Sequence, residues 1–172
     1  ARKGTKVNLV AGFPWFGRWG RDTFISLPGL CLAIDDWRMF KMAIEGELTD
    51  FRDGFFPNIG MGAQSAYNSV DAPLWFFWCI QQYAYINNAR TEVWNLYSKV
   101  MKQILDTFAE GTDNVRMDSN YLLWQSQSGK ALTWMDAIVD GVPVTPRNGY
   151  AVEINALWYN AVMFYRELAE LA

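Results

Sequence analysis

The distribution of apolar residues constrains the fold of this chain more than any other feature. Five helices are predicted, and three of them, over about 22–34, 71–86 and 151–171, have almost no polar face. The two helices between them, over about 37–51 and 91–110, are amphipathic, with apolar residues at three- and four-residue steps on one side. Because a helix that is apolar all round must be covered on every side, this order predicts an inner layer of helices wrapped by an outer one.

This alternation favours an all-α fold of the layered helical-barrel type, and it lacks the repeat of roughly 34 residues that a tetratricopeptide solenoid would show. The chain is read as one domain, or part of one. Residues 1–15 form an extended entry segment, and residues 112–149 form a long connection in which 121–125 or 141–144 could make a small β-hairpin. Loops of this length inside a domain are usually functional. The final helix is still unfinished at Ala172, which suggests an excised piece of a longer protein.

Composition excludes several classes of function. The net charge of -3 gives no basic surface for nucleic acid, and no apolar run is long enough to span a membrane. With no signal-peptide pattern at its start, the chain is expected in the cytoplasm.

Cys31 and Cys79 lie among apolar residues and are expected to be buried free thiols. The chain has no His, so neither a catalytic triad nor a common zinc site is expected, and neither a metal nor a cofactor is predicted.

Acid–base chemistry must therefore come from carboxylates, and several of these are predicted at helix starts. Asp22, Asp71 and Glu153 each stand at or near the N-terminus of an apolar helix. If these helices run parallel, the three carboxylates share one mouth of the barrel. The alternative is structural, because Asp22 and Asp71 are ordinary N-cap residues and Glu153 would favour the helix dipole.

Asp136, in the long connection, has a different environment. Its neighbours Trp134 and Met135 are expected to desolvate it and to raise its pKa towards that of a general acid. Arg21 and Asp22 form a second polar feature, placed between Trp19 and an apolar helix, which indicates a polar floor in an aromatic pocket suited to a sugar. Tryptophans are nevertheless more often core residues than sugar platforms.

Four sequence strings carry a specific resemblance. These are PWFGRWGRDTFISLPGL, YNSVDAPLWF, LTWMDA and VTPRNGYAVEINALWYNA, which extend in order from residue 14 to residue 161. They resemble the amylo-α-1,6-glucosidase domain of glycogen debranching enzymes, glycoside hydrolase family 133. The resemblance implies an (α/α)6 barrel related to that of glucoamylase, of which this chain would be the N-terminal part.

The same resemblance implies an activity and a set of residues. It implies hydrolysis of α-1,6-linked glucose from a glycogen limit dextrin, with an α-glucan as the partner and with inversion at the anomeric carbon. Asp136 corresponds to the family's general acid, and Arg21 and Asp22 correspond to the pair that holds the terminal glucose. The other expected substrate-binding or supporting residues are Trp19, Asn68, Asp71, Trp134, Arg147 and Glu153.

The resemblance also implies what the chain lacks. The family's catalytic base lies downstream of these motifs, so the chain alone is expected to be inactive. The rest of the barrel, or a second copy of the chain, is expected to cover its exposed inner helices. The chain departs from the family pattern at 118–121, where a Gly-containing turn is usual, and at Tyr150, where Lys is common. Two alternatives stay open: another (α/α)6 glycosidase of glucoamylase or trehalase type, and a noncatalytic carbohydrate-binding module.

Overall fold

The five predicted helices are all present in a computed structural model of the chain, which describes residues 2–3, 6–11, 13–15, 17–59 and 66–172. Phe16 of the first motif and loop positions 60–65 lie outside the described residues. The helices differ from the predicted ranges by at most about three residues at either end. They are α1 (Gly20–Cys31, followed by a 3-10 turn at Leu32–Ile34), α2 (Trp37–Leu48), α3 (Asp71–Ile86), α4 (Arg90–Glu110) and α5 (Val152–Leu171).

Local chemistry explains where two of these helices begin and end. The Asp36 carboxylate accepts a hydrogen bond from the Met39 amide at 2.9 Å, which satisfies one of the free N–H groups at the start of α2. Gly111 follows α4 with a φ of +95°, a backbone conformation that favours glycine. Both signals are readable in the sequence. No helix in the described part of the chain is both long and apolar enough to cross a membrane.

Within the described residues, the short strands form three antiparallel pairs. Near the N-terminus β1 (Arg2–Lys3) pairs with β2 (Lys6–Val7). The long connection contains two hairpins rather than one. Both extended pieces expected there overlap strands, but each pairs with its own neighbour: β3 (Val115–Met117) with β4 (Leu123–Gln125), and β5 (Ile138–Val139) with β6 (Val142–Pro143).

The helices pack in the two layers that their apolar patterns predict. Helix α3 lies between α1 and α5, while α2 packs outside α1 and α4 packs outside α3 and α5. Aromatic rings fill the contact between α1 and α3; the ring of Phe24 on α1 lies 5.5 Å from that of Phe76 on α3 and 4.8 Å from that of Phe56. Cys31 and Cys79 are buried free thiols, as predicted, and burial raises the pKa of both.

Only the central helix of the inner layer is covered on both sides. α1 and α5 form the two edges of the layer, and each exposes apolar side chains that no described residue covers. On α1 these are Ile25 and Leu30, and on α5 they include Val152 and Tyr159, of which Tyr159 is 69% exposed. All-round burial of the apolar helices is therefore found for α3 and not for its two neighbours.

The exposed edges predict association of this chain. We expect light scattering to give a mass above that of the 19.8 kDa monomer, because contiguous apolar surface is usually covered in solution. Leu30→Glu combined with Tyr159→Glu should shift the population to monomer. Leu96→Glu is the matched control, since Leu96 is an exposed apolar residue on the outer helix α4. A monodisperse wild-type monomer would contradict the prediction.

A buried ion cluster joins the start of α1 to the end of α2. The Arg18 guanidinium lies 2.5 Å from the Asp50 carboxylate and 3.7 Å from that of Glu47. Glu47 is only 1% exposed. Burial raises the pKa of Glu47 to about 7; Arg18 opposes the rise, Asp50 adds to it, and the nearby Thr23 side chain opposes it weakly. Glu47 therefore changes its charge near neutral pH.

This shift predicts a pH dependence of stability. Because the pKa of Glu47 is about 7 in the folded chain and about 4.3 in an unfolded one, the folded state holds an extra proton between these values. The corresponding stability is complete below about pH 4.3 and is lost as pH rises to about 7, by about 4 kcal/mol at most. Measured by urea unfolding, the free energy of unfolding of Glu47→Gln relative to that of wild type should rise by most of this amount between pH 5 and pH 8. Parallel pH profiles of the two proteins would contradict the assignment.

Candidate active site

The candidate site lies where the first turn of α1 meets the start of α3. Gly20 makes this approach possible, because a Cβ atom there would lie 2.5 Å from the Pro57 carbonyl oxygen. The Gly20 amide also donates to the Asn58 carbonyl at 3.1 Å, which fixes the entry of α1. As a result, Arg21 is held beside the first residue of α3, Asp71.

Arg21 joins two of the predicted carboxylates. Its Nε donates to Asp71 Oδ2 at 2.8 Å, and its Nη1 donates to Asp136 Oδ2 at 3.4 Å. Arg21 is 7% exposed and Asp71 1% exposed. Burial lowers the pKa of Arg21, but Asp71 and Asp136 outweigh it, so the pKa ends above the ordinary arginine value. The structure thus brings Arg21, Asp71 and Asp136 together from two helices and the long connection.

The cluster is buried at Asp71 and partly open to solvent at Asp136. Ser69 donates a hydrogen bond to Asp71 Oδ1, so both oxygens of this carboxylate are occupied. The Asp136 side chain is about one third exposed. Two buried polar atoms here, Arg21 Nη2 and Asn68 Oδ1, have no hydrogen-bond partner among the described residues. A buried donor and a buried acceptor without partners are unusual, and a ligand that supplies hydroxyl groups would satisfy both.

A second ion pair lies beside the first cluster. Arg147 contacts Glu153 through both terminal nitrogens, with Nη2 2.8 Å from Oε2, and its Nη1 also lies 3.4 Å from the Thr133 hydroxyl. The hydrogen bonds from Arg147 lower the pKa of Glu153, against the opposing effect of burial, and a side-chain hydrogen bond from Trp134 adds to the lowering. The hydrogen bond to Glu153 raises the pKa of Arg147, and the charge of Asp71 adds a smaller rise, which indicates that the two clusters form one charged region.

Backbone contacts hold the connection that carries Asp136. The Asn68 side-chain amide donates to the Ala131 carbonyl at 3.0 Å, and the Val70 amide donates to the Leu132 carbonyl at 2.9 Å. The segment before α3 therefore fixes the path of the connection up to Thr133, which is buried. These contacts explain how a residue more than 60 positions away reaches the start of α3.

Trp19 and Asp22 occupy an adjoining groove. A cavity of about 400 Å³ between α1 and residues 7–11 is lined by Trp19, Asp22, Thr23 and Ser26, among others. The Asp22 side chain is exposed there, whereas Arg21 is directed into the buried cluster. The two neighbours in sequence thus have different surroundings.

Trp134 contacts a different partner from Asp136, although the two residues lie close together in the sequence. It is 55% exposed and hydrogen-bonded to Glu153, while Asp136 contacts Arg21. The surroundings of Asp136 are set by the arginine of α1, a contact between residues 115 positions apart that the local sequence does not reveal.

The structural alternative, in which Asp22 and Asp71 cap helices, is wrong. α1 begins at Gly20, so Asp22 is its third residue, and α3 begins at Asp71 itself. The Ser69 hydroxyl accepts a hydrogen bond from the Ala72 amide at 3.2 Å and so does the work of a cap. Glu153 is in the first turn of α5, as predicted. Ser69 and Thr133 were not predicted from the sequence. A serine just before a helix start is a local signal for Ser69, whereas Thr133 has no local signal.

Comparisons with known proteins now identify the family. The model of the family described as amylo-alpha-1,6-glucosidase matches residues 1–172, and the chain belongs to this family. The glycogen debranching enzyme of Saccharomyces cerevisiae is 26% identical over 222 residues, which cover 94% of this chain and 14% of the yeast protein. The chain therefore spans a small part of the length of that relative. Among the described residues, no group of three or more His, Cys, Asp or Glu side chains is placed to hold a metal ion.

Asp71→Asn tests the importance of the buried ion pair. The substitution leaves the buried Arg21 cation with Asp136 alone, and we expect the free energy of unfolding to fall by about 3 kcal/mol. Glu153→Gln, in the more exposed pair with Arg147, should cost less than about 1 kcal/mol. Urea unfolding measures both variants. Equal losses in the two variants would show that burial of the Arg21–Asp71 pair does not determine how much this pair contributes to the free energy of unfolding.

Proposed function

We propose that this chain supplies the glucose-binding side of the active site of a glycoside hydrolase that removes α-1,6-linked glucose from a glycogen limit dextrin. One observation carries the proposal. Asp136 is brought by the long connection to a buried arginine that also has an unpartnered donor, so a partly exposed carboxyl group stands at the edge of a polar floor. The family membership gives this arrangement its chemical meaning.

In the proposed reaction, the Asp136 carboxyl group gives its proton to the glycosidic oxygen as the bond from that oxygen to the anomeric carbon breaks. A water molecule attacks the anomeric carbon from the opposite face, and a second carboxylate takes a proton from that water. For inversion, the two carboxyl groups stand roughly 6.5–9.5 Å apart to leave room for the water. We propose that the second carboxylate comes from polypeptide outside residues 1–172.

The other site residues receive binding roles. Arg21 Nη2 and Asn68 Oδ1 are proposed to bind hydroxyl groups of the terminal glucose, since each is a buried polar atom without a partner among the described residues. Asp22 and Trp19 extend this contact surface along the groove beside α1. Asp71 is proposed to orient Arg21, and Arg147 and Glu153 to hold the region around Thr133 and Trp134.

The layered packing supports the proposed (α/α)6 barrel. An arc made of α1, α3 and α5, with α2 and α4 outside it, accounts for three inner helices of six. The edge helices α1 and α5 are the two that expose apolar faces, as expected if further inner helices continue the ring on either side. In this proposal the rest of the barrel, or a second copy, covers those faces.

The function is tested with the full-length protein, meaning the whole polypeptide in which this sequence occurs. It should release glucose from a limit dextrin and act poorly on linear α-1,4 chains. Proton NMR during the reaction should show β-glucose first, because inversion of an α-linkage gives the β-anomer. Early α-glucose would contradict the inverting mechanism. Binding of the dextrin without any glucose release would favour a carbohydrate-binding module instead.

Asp136→Asn tests the proposed general acid. On a natural α-1,6 linkage, where the leaving alcohol needs a proton, kcat should fall by about 10² to 10⁴. An aryl or fluoride glucoside with a good leaving group should lose much less, because its departure requires little protonation. Steady-state kinetics of the full-length variant on both substrates measure this difference. Equal losses on the two substrates would count against Asp136.

A further inference from the structure

The ion cluster of Arg18, Glu47 and Asp50 contacts two segments that carry residues of the candidate site. Arg18 precedes Arg21 by three residues, and the two guanidinium groups contact different helices. Arg18 binds the carboxylates at the end of α2, whereas Arg21 binds the carboxylate at the start of α3. The segment 17–22, which carries Trp19 and Asp22, is therefore held between two helices by two arginines.

The same cluster also holds the second segment that supplies site residues. The Tyr67 hydroxyl donates to the Asp50 carbonyl at 2.7 Å, while the Asp50 carboxylate receives Arg18 at 2.5 Å. Tyr67 is followed by Asn68, whose side chain holds the Ala131 carbonyl, and by Ser69, which contacts Asp71. Asp50 is thus the point at which both segments are fastened to α2.

A third contact connects the cluster to α1 itself. The Thr23 hydroxyl donates to the Trp19 carbonyl at 2.9 Å, and the same side chain lies close enough to Glu47 to oppose the rise in its pKa. Glu47 and Arg18 are both nearly fully buried, so these contacts are shielded from solvent. The position of Trp19 relative to α2 is therefore set from two sides, by Arg18 and by Thr23.

We propose that Arg18 and Asp50 are positioning residues for the glycosidase reaction: they fix segments 17–22 and 66–71 relative to each other. The inference rests on the proposed function, since it assigns these segments to the glucose-binding surface. A cluster with a purely structural role would affect the free energy of unfolding and leave the turnover of the folded protein unchanged. A positioning cluster changes turnover beyond its effect on stability, because a shift of about 1 Å in site geometry can cost about 100-fold in rate.

Arg18→Lys is the informative substitution. An arginine side chain can meet the two carboxylates with separate nitrogens, whereas a lysine ammonium keeps the charge but is a single point donor. In the full-length protein we expect kcat/KM on the α-1,6 substrate to fall by about 10- to 100-fold. Lys41→Met is the control, because Lys41 links α2 to Glu92 of α4 at 2.9 Å and contacts neither site segment. It should change kcat/KM by less than about twofold. Equal losses of kcat/KM in both variants, at equal losses of unfolding free energy, would overturn the proposal.

Tyr67→Phe tests the second segment and keeps the proposal testable if Arg18→Lys fails to fold. It removes only the hydroxyl that binds the Asp50 carbonyl, and kcat/KM should fall about three- to tenfold. An unchanged kcat/KM would contradict the proposal. Where both variants fold, their effects on kcat/KM should be non-additive, since both act through Asp50. Additive effects would show that the two segments are not coupled there.

Hydrogen exchange on the chain itself separates this inference from the proposed function. Amides of residues 17–22 and 66–71 should exchange faster in Arg18→Lys than in Lys41→Met. Unchanged exchange at both segments would refute the positioning role, whether or not the full-length protein hydrolyses dextrin. If the wild-type protein releases no glucose but these amides respond as expected, the proposed function fails while the mechanical coupling of the two segments stands.

Discussion

The ion pair between Arg21 and Asp71 is the interaction on which the rest of the site depends. Both side chains are buried, and neither charge would be tolerated in that position without the other. The pair joins the first turn of α1 to the first residue of α3, the two helices whose contact also builds the aromatic core. Because Arg21 has further nitrogens to offer, it can hold Asp71, contact Asp136 and keep one donor without a partner among the described residues.

The layered packing explains why charged residues are concentrated at the helix starts. A central helix that is covered on both sides, such as α3, has most of its lateral surface buried, which leaves little room for polar groups along it. Its ends are the remaining places for chemistry, and the first residue of α3 is indeed a carboxylate. The long connection then crosses this end and is tied to it through Asn68 and Val70. The hairpins β3–β4 and β5–β6 belong to the same connection.

Sequence patterns predicted the helices well and their contacts only in part. Apolar periodicity indicated all five helices and the two layers, because burial imposes a repeat on every turn. Of the strands in the connection, β4 and β6 were located at 121–125 and 141–144, but their partners β3 and β5 were not, since these residues carry no signal for what pairs with them. The pairing of Arg21 with Asp71 and the burial of Arg18 depend on tertiary contacts across 32 to 50 residues, which no local pattern encodes.

The sequence motifs also grouped residues that the structure separates. Arg21 and Asp22 are adjacent in the chain, yet one enters the buried cluster and the other faces the groove beside α1, because successive residues of a helix point about 100° apart. Trp134 and Asp136 are similarly divided: Trp134 bonds Glu153, and Asp136 meets Arg21. A motif identifies residues that share a function, but only the fold determines which of them touch.

The central claim is that the terminal glucose binds where Arg21 and Asp136 meet. A crystal structure of the full-length protein with an iminosugar inhibitor such as 1-deoxynojirimycin tests this claim most directly. The account predicts the inhibitor within hydrogen-bond distance of both Arg21 and Asp136, with a second carboxylate roughly 6.5–9.5 Å from that of Asp136. An inhibitor bound elsewhere, with the contact between Arg21 and Asp136 intact and unoccupied by ligand, would contradict it.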